Sequence, residues 1–232
     1  MLYALGISGL AWAFRLLSWD GAVGAFVLGA AVWEIGGITW AIPLLMFFFG
    51  SAIVHLITRI ASSDKVPKEP PRTFVQVSSN GLPVFVCVLC WYYTKDFRFE
   101  VAMLASLSAA CADTWATDIG KAFSSKAFRI SNIKLVTHGI SGAVSVSGLI
   151  GGFIGAAFIA STAPLFERSE LVGLITLIGF GGCLLDSLLG DTLQCEKQFP
   201  DKKGLRLRWM SNDAVNLLSV SASAIAGYFL AK

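Results

Sequence analysis

The sequence predicts an all-α polytopic integral membrane protein of seven to eight transmembrane helices joined by short loops, and three observations predict it. Of 232 residues, 55% are apolar and only 14% are charged, where a soluble domain carries roughly 25% charged residues. Mean hydropathy is +0.70. Apolar stretches close to the ~20 residues of a bilayer crossing recur from one end to the other. The chain is therefore expected to form a single transmembrane domain over residues 1–232, with its chemistry built from helix ends and loops.

The expected spans are 2–17, 20–36, 38–58, 73–93, 98–120, 140–160, 170–192 and 211–231. The stretch from Met1 to Ser18 lacks a basic leader and a small-residue cleavage site, so it reads as a first membrane helix and not a signal peptide. Asp20 opens span two, either as a helix cap or as part of a polar site. His55, near the end of span three, reads as structural. The stretch Val66-Pro67-Lys68-Glu69-Pro70-Pro71 is a stiff, extended connection. Asn80-Gly81 lies about two turns into span four, as a ligand or as a kink held by an amide hydrogen bond. Cys87-x-x-Cys90 falls within that span without a second pair, so it reads as packing. Asp113 and Asp118 close span five, Asp186 and Asp191 close span seven, and Asn212, Asp213 and Asn216 open span eight. Before span six, His138-Gly139-Ile140-Ser141-Gly142 places small residues and free N–H groups at a positive helix end, a natural anion cradle. The later Gly148, Gly151, Gly152 and Gly155 have the spacing of close helix packing.

Charge orients these spans. Arg15; Arg59, Lys65, Lys68 and Arg72; Lys121, Lys126, Arg129 and Lys134; and Lys197, Lys202, Lys203, Arg206 and Arg208 fall on one side, leaving Lys95, Arg98, Arg168 and Lys232 on the other. The positive-inside rule then puts the basic face in the cytoplasm or its topological equivalent, with both termini opposite. The Asp and Asn residues at helix ends gather on that same face. Ionisable groups within spans are costly and are usually paired or functional. Asp113 to Asp118 and Asp186 to Asp191 share the pattern Asp-[Thr/Ser]-x-x-small-Asp. Five residues along a helix turn a side chain ~140° away, so neither pair can chelate one ion alone. Asp113 and Asp186 can instead face a shared centre. Carboxylate and amide oxygens suit Mg²⁺ with phosphate, and the cations from Lys121 onward suit the phosphates themselves.

At these residues the chain resembles the transmembrane-protein-19-like family, which includes the plant phytyl-phosphate kinase of vitamin E biosynthesis. The likeness rests on Ala112-Asp113-Thr114-Trp115-Ala116-Thr117-Asp118-Ile119-Gly120, Ser141-Gly142-Ala143-Val144-Ser145, Asp186-Ser187-Leu188-Leu189-Gly190 with Gln194, and Asn212-Asp213 with Asn216. It extends from Asp20-Gly21-Ala22 through Asn80-Gly81 to Asn216. A shorter likeness, Asp113-x-x-Ala116-x-x-x-Gly120 followed by Ser141-Gly142, is to polyprenol kinases that use CTP.

The resemblance implies phosphoryl transfer from a nucleoside triphosphate, CTP favoured, to phytyl or geranylgeranyl monophosphate. Asp113, Asp118, Asp186 and Asp213 would hold Mg²⁺, the first three being catalytic. Asn80, Asn212 and Asn216 would orient oxygens, and Lys121, Ser141 and Gly142 would bind phosphates. The partners expected are the prenyl phosphate, the nucleotide and the bilayer, with no nucleic acid. Two alternatives stand: a CTP-dependent isoprenoid alcohol kinase or cytidylyltransferase, and an ion or small-solute transporter using the same polar layer.

Overall fold

The computed structural model describes residues 1–62, 70–136, 142–194 and 210–232. Its helices are α1 (Leu2–Ala13), α2 (Trp19–Ala61), α3 (Phe74–Thr94), α4 (Arg98–Phe123), α5 (Val146–Ala160), α6 (Val172–Leu193) and α7 (Asn212–Leu230). A continuous helix as long as α2 would reach about 65 Å, twice the hydrocarbon core. Gly37 resolves this with φ 73° and ψ −167°, a conformation essentially closed to residues with a Cβ. The arm 19–36 runs alongside α3, Ser18 bonding to Arg72 and Leu28 packing on Gly81. The arm 38–61 runs against α3: Trp40 meets Trp91 near the far end, while Arg72 lies over Phe47 nearer the start. The described residues therefore hold eight α-helical segments, and Gly37 falls at the boundary expected between spans two and three.

Trp19–Ala61, Phe74–Thr94, Val146–Phe166, Ser169–Leu193 and Asn212–Leu230 are long and apolar enough to cross a membrane. α4 is more polar because it is the axis of the bundle. Val101 to Ala112 are all buried, and α2, α3, α5, α6 and α7 pack around it. Its serines are satisfied internally, with Ser108 donating to the Ala156 carbonyl at 3.2 Å. Gly148, Gly151, Gly152 and Gly155 bring α5 against the α4 backbone, as their spacing predicts. The outer surface is apolar, with Ile57, Ile154, Leu177 and Phe229 all exposed, as lipid contact requires. Cys87 is buried and free, a packing residue.

The all-α class holds, with one local addition in a loop and one corrected boundary. The all-α fold carries a small antiparallel sheet in the connection between α4 and α5, ordered β2-β1-β3 from β1 (Ala127–Arg129), β2 (Leu135–Val136) and β3 (Ala143–Val144). Span six begins at Val146, not at residue 140, because Ser145 caps it by accepting from the Gly148 N–H at 3.2 Å. Gly142 thus precedes a strand and is not at a helix N-terminus. Asp20 caps the neighbouring helix: it accepts from Ser18 Oγ at 2.5 Å and from the first N–H of α3, at Phe74, at 3.0 Å.

Candidate active site

One end of the bundle encloses a polar cavity of about 480 Å³. α4 supplies its floor. Asp113, Thr117 and Lys121 recur at helical spacing on one face and line it together with Asp118. Asn80 and Gln76 enter from α3, Asp186 and Ser187 from α6, and Asn212 and Asn216 from the first turns of α7. Gly142 and Ser145 close the side nearest the sheet, and Arg72 enters from the connection before α3. Asn80, Asp113, Asp118, Lys121, Gly142, Asp186, Asn212 and Asn216, singled out from the sequence, all line this cavity. Asp213 is not among the lining residues, and Ser141 lies outside the described residues.

The two Asp pairs differ: Asp113 and Asp118 both line the cavity, whereas of the second pair only Asp186 does. Asp113 lies within Coulombic range of Asp186, Asp118 and Lys121. Asp186 is buried and accepts from Ser219 Oγ at 2.8 Å. The second member of each pair turns to a partner. His55 Nδ1 sits 3.2 Å from Asp118 Oδ1, so the histidine read as structural stands beside the site. Asp191 receives Arg129 Nη1, and also the Ser131 hydroxyl at 2.5 Å and backbone N–H at 3.2 Å. This pins the sheet to α6. Gly142, at φ 72°, fits against Asp191 and the Ser187 carbonyl where a Cβ would collide.

Among the described residues no group of three or more His, Cys, Asp and Glu is placed to hold a metal unaided. The neighbouring pair Asp113 and Asp186 remains. Asn216 Oδ1 is a buried acceptor on the same cavity without a hydrogen-bond partner among the described residues. Leaving such an atom unsatisfied costs about 1–3 kcal/mol, so this position suits a cation or a donor. Two polar lining residues at the α3 end, Gln76 and Arg72, were not singled out from the sequence. Gln76 belongs to a capping box, accepting from the Thr73 N–H at 3.0 Å, and the Thr73-x-x-Gln76 spacing is its signal. Arg72 reads in the sequence as one of the basic residues that set topology, and its backbone is anchored by Ser18 and Leu16.

An apolar exterior, alternating helical segments and a carboxylate- and amide-lined chamber at one end define a polytopic membrane protein with a polar site. The chain belongs to the integral membrane protein family DUF92, which matches residues 2–224. It is 26% identical over 219 residues to the membrane protein MJ0933 of Methanocaldococcus jannaschii, covering 93% of this chain and 86% of that protein. It is 29% identical over 214 residues to the membrane protein sll0875 of Synechocystis, covering 87% and 78%. Protein VTE6, chloroplastic, of Arabidopsis thaliana is 26% identical over 228 residues, covering 92% of this chain and 65% of VTE6. No solved structure matches the chain.

Proposed function

We propose that this protein is an isoprenyl-monophosphate kinase related to the vitamin E pathway, transferring the γ-phosphoryl group of a nucleoside triphosphate, CTP favoured, to phytyl or geranylgeranyl monophosphate. The observation that carries this reading is the convergence of Asp113, Asp186, Asn80, Asn216, Lys121 and Arg72 on one cavity at the end of a membrane bundle. The kinship with VTE6 supports it. An oxygen of the acceptor phosphate bonds to the γ-phosphorus as the β–γ bridging bond breaks, and the nucleoside diphosphate leaves. The acceptor is already anionic at neutral pH, so it needs little base, and catalysis rests on positioning and charge neutralisation.

Asp113 and Asp186 would hold Mg²⁺, which is usually bound by one or two carboxylates with phosphate oxygens completing the shell. A bound ion would supply charge neutralisation on the phosphates. Lys121 and Arg72 would bind phosphate oxygens. Asn80, Asn212 and Asn216 would orient them, and Gly142 would keep the wall close. The positive-inside rule would turn this face toward the cytoplasm or its equivalent.

A second reading, a kinase for the free prenyl alcohol, draws on the contact of His55 with Asp118. That pair could take the proton of a hydroxyl acceptor. The test offers γ-labelled CTP, ATP, GTP or UTP with Mg²⁺ to purified protein, together with prenyl monophosphates and the matching alcohols. Label in a prenyl diphosphate, lost on chelation, is the expected result. Label in a monophosphate favours the alcohol kinase. No transfer by folded, lipid-supplied protein removes both and turns attention to transport.

A further inference from the structure

A second cavity adjoins the first. It lies between α1, both arms of α2 and α3, and is smaller, about 110 Å³. Ala11, Leu28, Trp33, Leu44 and Phe48 are typical of its walls. Apart from Ser8 and the Trp33 indole, its polar side chains are Arg72, Gln76 and Asn80, and these three also line the polar cavity. The polar groups therefore sit where the two cavities meet. Trp33 and Ala41 flank the Gly37 turn at the other end. From Ala25 to Trp33 alone the slot runs about 12 Å along the helix axis.

We propose that this slot is the tail site of a single-chain prenyl phosphate, with the phosphate at Arg72, Gln76 and Asn80 and the chain extending toward Gly37. Three features select that occupant. Away from the shared end the wall is hydrocarbon but for the Trp33 indole and Ser8, whose hydroxyl donates to the Leu5 carbonyl, and such a wall disfavours a nucleotide base. The small volume suits one chain and not a diacyl lipid. The Arg72 guanidinium, 5.6 Å above the Phe47 ring, stands at the junction where an anionic head must lie. This assignment rests on the phosphotransferase reading for the purpose of the site, but binding can be measured without turnover.

The experiment uses the full chain in detergent and a geranylgeranyl monophosphate analogue carrying a photoreactive diazirine at the tail end, with the labelled peptides mapped by mass spectrometry. Label is expected within 25–48, displaced by geranylgeranyl monophosphate but not by phosphatidylglycerol. A Cβ at Gly29 meets only Ala4 Cβ, at 3.8 Å, so a side chain can start there without collision; Gly29→Leu is expected to fold, checked by its thermal unfolding midpoint, and to fill the slot. It is expected to weaken competition by geranylgeranyl monophosphate at least about tenfold, the lower end of what misfit in an apolar pocket costs. Leu177→Phe, on the exposed outer face of α6, is the control and leaves competition unchanged. Label confined to outward-facing residues such as Leu177 or Ile225, or equal displacement by phosphatidylglycerol, overturns the slot. Specific label in the slot with no phosphoryl transfer keeps the tail site and removes the kinase. Transfer with label elsewhere does the reverse.

Discussion

Asp191→Asn offers the sharpest structural test, because it removes one charge and almost no volume. The Asp191 side chain is 1% exposed and that of Arg129 10%, so the pair is shielded from water. The substitution leaves a buried guanidinium without this counter-charge, and Arg129 Nη2 has no hydrogen-bond partner among the described residues. Breaking one side of a buried pair costs about 3–5 kcal/mol. At roughly 2–4 °C per kcal/mol for a chain of this size, the midpoint of thermal unfolding in detergent should fall by on the order of 10 °C. Limited proteolysis should open first between α4 and α5, where Asp191 holds the sheet. The double variant Arg129→Met with Asp191→Leu replaces the pair by apolar groups and should recover most of the loss, since such exchanges are often neutral or stabilising. A shift below about 1 °C in the single variant would refute the pinning role on the same scale. A double variant as unstable as the single one would show that packing, and not the orphaned charge, sets the cost.

Asp113→Asn should fold normally and lose about 10²–10³ in phosphoryl transfer, the range seen when one fixed electrostatic contact at a reacting centre is removed; full turnover would sink the central assignment. Gly37→Ala should cost about 1–3 kcal/mol in thermal stability through its forbidden backbone conformation, whereas Gly173→Ala, with open space around its Cβ, serves as the neutral comparison. On the opposite face, in the loop between α3 and α4, the Arg98 side chain bonded to Asp96 holds that carboxyl below its ordinary range, helped by the Arg98 backbone N–H. A lowered folded-state value adds stability above the ordinary carboxylate range, and that stability is lost as pH falls toward the lowered value. Asp96→Asn should therefore lower the unfolding midpoint at neutral pH and flatten its acid limb; an unchanged acid limb would contradict the pairing.

Much of the site was legible because its residue types conflict with their surroundings. Asp113 and Asp186 lie about two turns inside apolar helices, a placement that costs free energy unless something on the same face answers it. Helix rotation also accounts for Asp191 leaving the cavity that Asp186 lines, whereas Asp118 stays on the cavity with Asp113 while reaching His55. What hid Arg72 was its resemblance to the other basic loop residues that set topology. His55 was hidden for a similar reason: nothing within its own helix distinguishes a packed histidine from one facing Asp118, 63 residues further along.

The sequence by itself determined the membrane class, the approximate positions of the spans apart from the start of span six, and the gathering of polar helix ends on one face. These follow from local quantities, namely apolar run length, loop charge and helical rotation, and the break between 36 and 38 is set by the single residue Gly37. Only the tertiary structure decided which oxygens converge, that Asp191 is held by Arg129 while Asp186 faces the cavity, that Gly142 belongs to a sheet edge and not a helix start, and that the polar and apolar cavities share Arg72, Gln76 and Asn80. Each is a contact between segments far apart in the chain. Side-chain periodicity fixes the face of a helix, but which neighbour that face meets depends on how all the helices pack together around α4.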